Sequence, residues 1–137
     1  MKTNYFIILI TLSFLASCQG THKKDEMMIE LKKIPQTNYT KIACPFEIDM
    51  DTITIDKINV ELPIKNIGKK DLTNLYIKTT CDCTALEDYP KTLKPNEQTK
   101  VKISIDIDEK GYFSKTVVVS GSFNPLVRAV RIMGYKK

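Results

Sequence analysis

The chain has no tryptophan and one histidine, His22. A lone histidine in a polar stretch excludes Ser-His-Asp and Cys-His catalysis within the chain. It also denies a closed zinc site its usual fourth ligand. Without tryptophan the common sugar-stacking platform is missing, and only tyrosines such as Tyr76, Tyr89, Tyr112 and Tyr135 could partly replace it. Glycine is scarce, with five in 137 residues, and none belongs to a phosphate-cradling loop. No internal repeat and no heptad pattern is present. Charge of one sign is not concentrated either: 21 Lys plus Arg face 16 Asp plus Glu, and the excess is spread over short pairs such as Lys23-Lys24 and Lys69-Lys70. A nucleic-acid partner would call for a basic stripe, so none is expected. Asp106-Ile107-Asp108-Glu109-Lys110-Gly111 opens like a calcium loop, but its twelfth position is Val117 instead of a bidentate Glu. Asp49 and Asp51 could pair as carboxylates, yet no pocket-forming loops accompany them. No cofactor is expected, and the chain reads as a non-enzyme.

Long apolar runs are also absent, with one exception. Lys2 precedes the eleven residues Tyr5 to Leu15, and Leu15-Ala16-Ser17-Cys18 closes the run. Eleven residues are too few to span a bilayer and suit the h-region of a signal peptide. The closing cysteine resembles the lipobox of bacterial lipoproteins, in which the thiol is diacylated and the signal removed before it. That resemblance implies a signal peptide over 1–17 and a lipidated N-terminal Cys18, with palmitate or similar chains as the membrane anchor. Two or three chains, at ~0.8 kcal/mol per buried CH2, would make release negligible. Gln19 after the cysteine, where no Asp stands, is compatible with an outer-membrane address, at either the periplasmic face or the cell surface.

Residues 18–41 are expected to be a flexible linker, because Gln19 to Glu26 is polar without an apolar period. Met27 to Ile34 could be a short helix or a first strand, and Pro35 ends it in either case. From Lys41 onward the period is two. Ile58, Val60, Leu62 and Ile64 alternate with Asn59, Glu61, Pro63 and Lys65, and Val101 to Ile107 alternates as regularly. Pro63 marks an edge or a bulge, since it cannot donate to a ladder. Leu75 and Ile77, Phe113 to Val119, and Val127 to Met133 complete the set. Turn chemistry separates them at Asn66-Ile67-Gly68-Lys69, Lys94-Pro95-Asn96-Glu97, Glu109-Lys110-Gly111 and Ser120 to Pro125. About seven short strands predict an all-β, immunoglobulin-like two-sheet sandwich over 42–137, with a small barrel as the alternative.

Asn66-Ile67-Gly68, Thr80-Cys81-Asp82-Cys83-Thr84 and Leu93-Lys94-Pro95-Asn96-Glu97, followed by two strands, come in an order that resembles the bacterial family called domain of unknown function 1573. The family's hallmark is an S-C-G-C-T run between N-x-G and a P-G-E-like turn, and it is related to Hydin-like domains. The resemblance implies an Ig-like sandwich and no established activity. This chain departs from the pattern at Thr80, at Asp82 between the cysteines, and at Asn96 in the turn. An Asp reaches the backbone angles open to Gly less easily, so Asp82 is the departure that matters most.

Cys44, Cys81 and Cys83 remain beyond Cys18. The plainest reading is a structural disulfide from Cys44 to Cys81 or Cys83, tying the first strand to a central one. Buried unpaired thiols are a second reading. A soft-metal site for Cu(I) or Zn(II) from these sulfurs is a third. A redox-exchanging Cys81–Cys83 pair is the fourth, with no neighbouring His or helix N-terminus evident to lower a thiol pKa. The connection from Cys83 to Leu93, with Leu86, Tyr89 and Pro90, is the candidate partner-contact loop. These readings combine into an expected envelope lipoprotein, held to the membrane by its lipid anchor, with a non-catalytic binding module for a protein partner. The alternative is a thiol-redox or copper-handling accessory protein.

Overall fold

The computed structural model describes residues 22–137. The expected signal peptide and Cys18 lie outside the described residues. Helix α1 spans His22–Lys33 and a single 3-10 turn spans Gln36–Asn38. Eight strands follow: β1 Ile42–Ala43, β2 Glu47–Ile53, β3 Lys57–Asn66, β4 Tyr76–Thr79, β5 Thr84–Leu86, β6 Gln98–Asp106, β7 Gly111–Ser120 and β8 Val127–Lys136. They form two four-stranded sheets, ordered β1-β3-β6-β5 and β2-β8-β7-β4. The sandwich expected from the alternation is the fold observed.

The alternation gives the sandwich its core. Ile58, Val60, Leu62 and Ile64 of β3 face Val101, Ile103 and Ile105 of β6 across an antiparallel ladder, and all seven are buried. Val117 and Val119 of β7 with Val130 and Ile132 of β8 supply the opposite layer. At about 25 cal/mol per Å2 of apolar surface, such fully buried aliphatic side chains are the main stabilising contribution. The first strand changes sheets: Ile42 and Ala43 pair antiparallel with β3, and after Cys44-Pro45-Phe46 the chain pairs parallel with β8. Pro45 interrupts the ladder at the switch, as a residue without an N–H must.

The stretch expected to be a flexible linker through residue 41 contains α1 and the 3-10 turn. Leu31 of α1 is 1% exposed, and the Tyr39 hydroxyl reaches the Leu31 carbonyl at 3.5 Å. Thr40 is buried, and its N–H donates to the Ser122 carbonyl at 2.9 Å. Of the two readings of Met27 to Ile34, the helix is the one observed.

One end of the sandwich is organised by a single buried amide. Asn66 Nδ2 donates to the Lys70 carbonyl at 2.7 Å and to the Leu93 carbonyl at 2.9 Å. Its Oδ1 accepts from Thr40 Oγ1 at 2.7 Å and from the Gly68 N–H at 3.1 Å. A Cβ on Gly68 would lie 2.1 Å from Thr40 Oγ1 and 2.7 Å from the Lys41 nitrogen, so only glycine lets the loop close on Thr40. The neighbouring turn places Asn96 at φ +68°, a left-handed conformation that Asn tolerates and Gly prefers. Asp82 is not among the described residues with positive φ, so the segment between the cysteines does not require glycine.

Candidate functional site

β4 is the outer strand of one sheet and β5 the outer strand of the other, and only Thr80 to Cys83 separate them. This crossover is pinned at both ends. The Thr80 N–H donates to the Thr116 carbonyl at 3.2 Å, and the Asp106 N–H donates to the Cys83 carbonyl at 2.9 Å. Between those pins the chain turns, and Cys81 and Cys83 are joined by a disulfide with their Cα atoms 5.2 Å apart. Both cysteines are half-buried and Asp82 stands exposed at the tip. The favoured bridge from Cys44 to Cys81 or Cys83 is not formed; Cys44 is a free, buried thiol. The reason is topological: Cys44 lies at the sheet switch between β1 and β2, whereas the pair lies at the crossover between β4 and β5.

A bridge that closes so short a loop removes little entropy from the unfolded chain. The loop-closure relation gives about 1.5 kcal/mol for it, against about 3 kcal/mol for a fifteen-residue loop. Stability is thus a minor return for two sulfurs left accessible at a surface turn. Their surroundings are unequal. Cys81 Sγ accepts from the Cys83 N–H at 3.2 Å and faces Lys115 Nζ at 3.9 Å. Cys83 Sγ has Thr84 Oγ1 at 3.8 Å, and Cys83 packs against the core. Thr79 Oγ1 donates to the Cys81 carbonyl at 3.2 Å, which fixes the turn further.

Lys115 was not among the residues singled out in the sequence, though a signal was present. Phe113, Lys115, Val117 and Val119 share one parity on β7, and the last two are fully buried. A lysine in the inward register of an otherwise apolar row is out of place unless its head reaches water or a partner. Here the stem follows the inner face and the ammonium reaches Cys81.

Cys44 is chemically quiet. Burial pushes its thiol up to about 11, with the Arg128 guanidinium pulling the other way to a smaller extent. Arg128 Nη1 donates to the Cys44 carbonyl at 3.0 Å, and the same guanidinium lies 4.5 Å from the ring centre of Phe46. At pH 8 about one such thiol in a thousand would be ionised. Cys44 is expected to stay unmodified by iodoacetamide in the native protein and to be modified on unfolding in urea, as read by peptide mapping. Native-state labelling at a rate comparable with a free thiol would contradict its burial. Among the described residues no three of His, Cys, Asp or Glu cluster for a metal, so the three-thiolate site is not assembled.

The proposed contact loop is mostly turned inward. Leu86 belongs to β5, and Leu86 and Tyr89 both pack against the core. Tyr89 Oη accepts the Ile77 N–H at 2.8 Å, while Lys91 Nζ sits 3.5 Å from the centre of its ring. Of the three residues only Pro90 is exposed. This segment covers the outer edge of β4, since the Leu75 N–H also donates to the Lys91 carbonyl at 3.0 Å.

A different edge is open. Asn66 directs its N–H to Glu97 and its carbonyl to Asn96, both on the β6 side. Backbone groups of an antiparallel strand alternate in direction, so Lys57, Asn59, Glu61 and Pro63 direct theirs away from β6. On that side β1 pairs only with Lys65 and Asn66, and among the described residues no strand covers Lys57 to Ile64. Pro63 belongs here, with no N–H to offer. Beside it Ala43, Cys44, Pro45, Ile64, Lys65 and Arg128 help enclose a mostly apolar groove of about 430 Å3.

Two sheets of four strands, joined where the chain passes from β1 to β2, define an immunoglobulin-like sandwich. A family described as "Protein of unknown function (DUF1573)" matches residues 45–135, and the chain belongs to that family. Among curated proteins no sequence matches the chain. Solved structures share the fold. A protein of unknown function from Porphyromonas gingivalis W83 superposes with a TM-score of 0.64 at 12% identity, over 76% of this chain and 50% of its own. The VesB protease of Vibrio cholerae gives 0.60 at 12% identity, over 69% of this chain and 32% of the protease. PapD-like domain 7 of human CEP192 gives 0.58 at 14% identity, over 75% and 88%. The chain thus spans half the Porphyromonas protein and 32% of the protease. At such identities the likeness is one of fold.

Proposed function

We propose that the chain is a lipoprotein of the bacterial cell envelope, fastened to the membrane through acylated Cys18, whose sandwich binds a protein partner by strand addition along β3 and has no catalysis of its own. The outer membrane is the proposed address, supported by Gln19 in place of Asp. The observation that carries the binding mode is that, among the described residues, no strand pairs with the outer edge of β3 from Lys57 to Ile64. An added strand would gain main-chain hydrogen bonds there, and a side chain could enter the groove at its end. The other edges are less suited. Residues near Tyr89 and Lys91 cover β4, β5 has three residues, and β2 is broken by a bulge where Asp51 takes φ +52°. Lys65 and Arg128 beside the groove favour an acidic, apolar-flanked partner strand.

Two substitutions test this. Cys18→Ala should abolish metabolic palmitate labelling and release the protein from membranes; labelling that persists would refute the anchor. Glu61→Pro removes one outward N–H at an edge that already accepts Pro63, together with the exposed Glu61–Lys100 pair, and circular dichroism should show the sandwich retained. Partner recovery after crosslinking in native membranes should fall at least tenfold. Undiminished recovery would refute pairing along β3.

A further inference from the structure

The cysteine turn carries chemistry that edge binding does not use. Two sulfurs lie half-buried at a surface crossover, and one of them faces an ammonium group delivered from an inward position of β7. We propose that Cys81–Cys83 is a thiol–disulfide exchange site polarised by Lys115, in which the thiolate of a polypeptide dithiol attacks Cys83 and Cys81 is the leaving sulfur.

The geometry assigns the direction. When the S–S bond breaks, one sulfur keeps the electron pair as a thiolate. At Cys81 that charge meets the Lys115 ammonium and the Cys83 N–H, at 3.9 and 3.2 Å. At Cys83 it would meet only the Thr84 hydroxyl at 3.8 Å. A leaving sulfur whose negative charge is stabilised departs faster, so attack at Cys83 is favoured. Among the described residues no carboxylate forms a salt bridge with Lys115 and competes for the ammonium.

The steps balance. The incoming thiolate forms a bond to Cys83 Sγ, the Cys81–Cys83 bond breaks, and Cys81 carries the electron pair. The second thiolate of the same polypeptide then attacks its own sulfur in the mixed disulfide and expels Cys83 as a thiolate. The polypeptide dithiol loses two electrons and becomes a disulfide. The turn gains those electrons, and with two protons it becomes a dithiol. The reverse sequence requires a polypeptide disulfide as oxidant, and the same residues serve it.

The test uses the purified full chain, reduced with dithiothreitol and then freed of it. Iodoacetamide at pH 7 should modify Cys81 about tenfold faster than Cys83, because an adjacent cation raises the thiolate fraction of one sulfur. Lys115→Met should erase that preference and slow reduction of the disulfide by dithiothreitol about tenfold, while Lys115→Arg retains both. Circular dichroism and thermal melting of each variant separate a lost charge from a lost fold. A Cys81→Ser variant, incubated with a peptide disulfide, should form a stable mixed disulfide at Cys83. Equal labelling of the two cysteines in the parent, or a preference unchanged in a folded Lys115→Met variant, overturns the proposal.

Discussion

Replacing Asn66 with alanine should cost about 3–5 kcal/mol, because each stranded buried polar group costs about 1–3 kcal/mol. For a domain of this size that corresponds to a fall in Tm of about 10–20 °C. The amide is fully buried, and four different groups depend on it. Removing it leaves the Lys70 carbonyl, the Thr40 hydroxyl and the Gly68 N–H without their side-chain partner, while the Leu93 carbonyl keeps the Leu72 N–H. Three segments far apart in sequence meet at this side chain, so the loss is cooperative and local solvent cannot easily replace it. Asn66→Asp should be nearly as damaging, since it keeps the acceptor but turns carboxylate oxygens toward two carbonyls. Urea unfolding of the variants measures the cost. A loss below about 1 kcal/mol would show that water satisfies these groups and that the amide is not the organiser of this end.

Phe123→Ala should cost a similar amount, about 3–5 kcal/mol, for a different reason. Phe123 is 0% exposed and heads the largest fully buried side chains, yet it projects from the connection between β7 and β8 and not from a strand. Its backbone bridges to Thr40, and its ring belongs to the buried core cluster. Truncation opens a cavity that the surrounding strands cannot collapse into, because their positions are fixed by two ladders. Phe123→Leu should recover more than half of the loss. A cost under about 1.5 kcal/mol for the alanine variant would mean that the loop relaxes and the ring is not a wedge.

These two residues mark where sequence reading ends for this fold. β3 and β6 were legible because one face of each meets the core and the other meets water, so composition alternates with the pleat. Pro63 signalled an edge for the same kind of reason: a missing donor constrains one side of the strand. Asn66 read only as a turn residue, since its role depends on Leu93, which is brought near by folding and not by spacing. Phe123 lay within a run of Ser, Gly, Asn and Pro that correctly indicated a turn and hid the apolar plug inside it. The parallel pairing of β2 with β8 has no local signature at all.

The cysteines show the same division. Their spacing left four readings open, and folding decides among them: the segment turns at Asp82, and the two sulfurs bond to each other. The sheet switch, which spacing does not reveal, places Cys44 at the groove beside Arg128 and away from the pair. Lys115 was visible only as a lysine in the wrong register of an apolar row. Of the loop residues, Leu86 and Tyr89 are apolar or aromatic for the usual reason, that they pack inward.

Pairing of a partner along β3 is tested most directly by photo-crosslinking in native membranes. A photoreactive residue is placed at Glu61 on the open edge, and a second, as control, at Ala129, which is exposed on β8 in the other sheet. A discrete adduct is expected from position 61 that disappears when Cys18→Ala releases the protein from the membrane, and none from position 129. An adduct from 129 alone, or one from 61 that is indifferent to the anchor, would contradict this expectation.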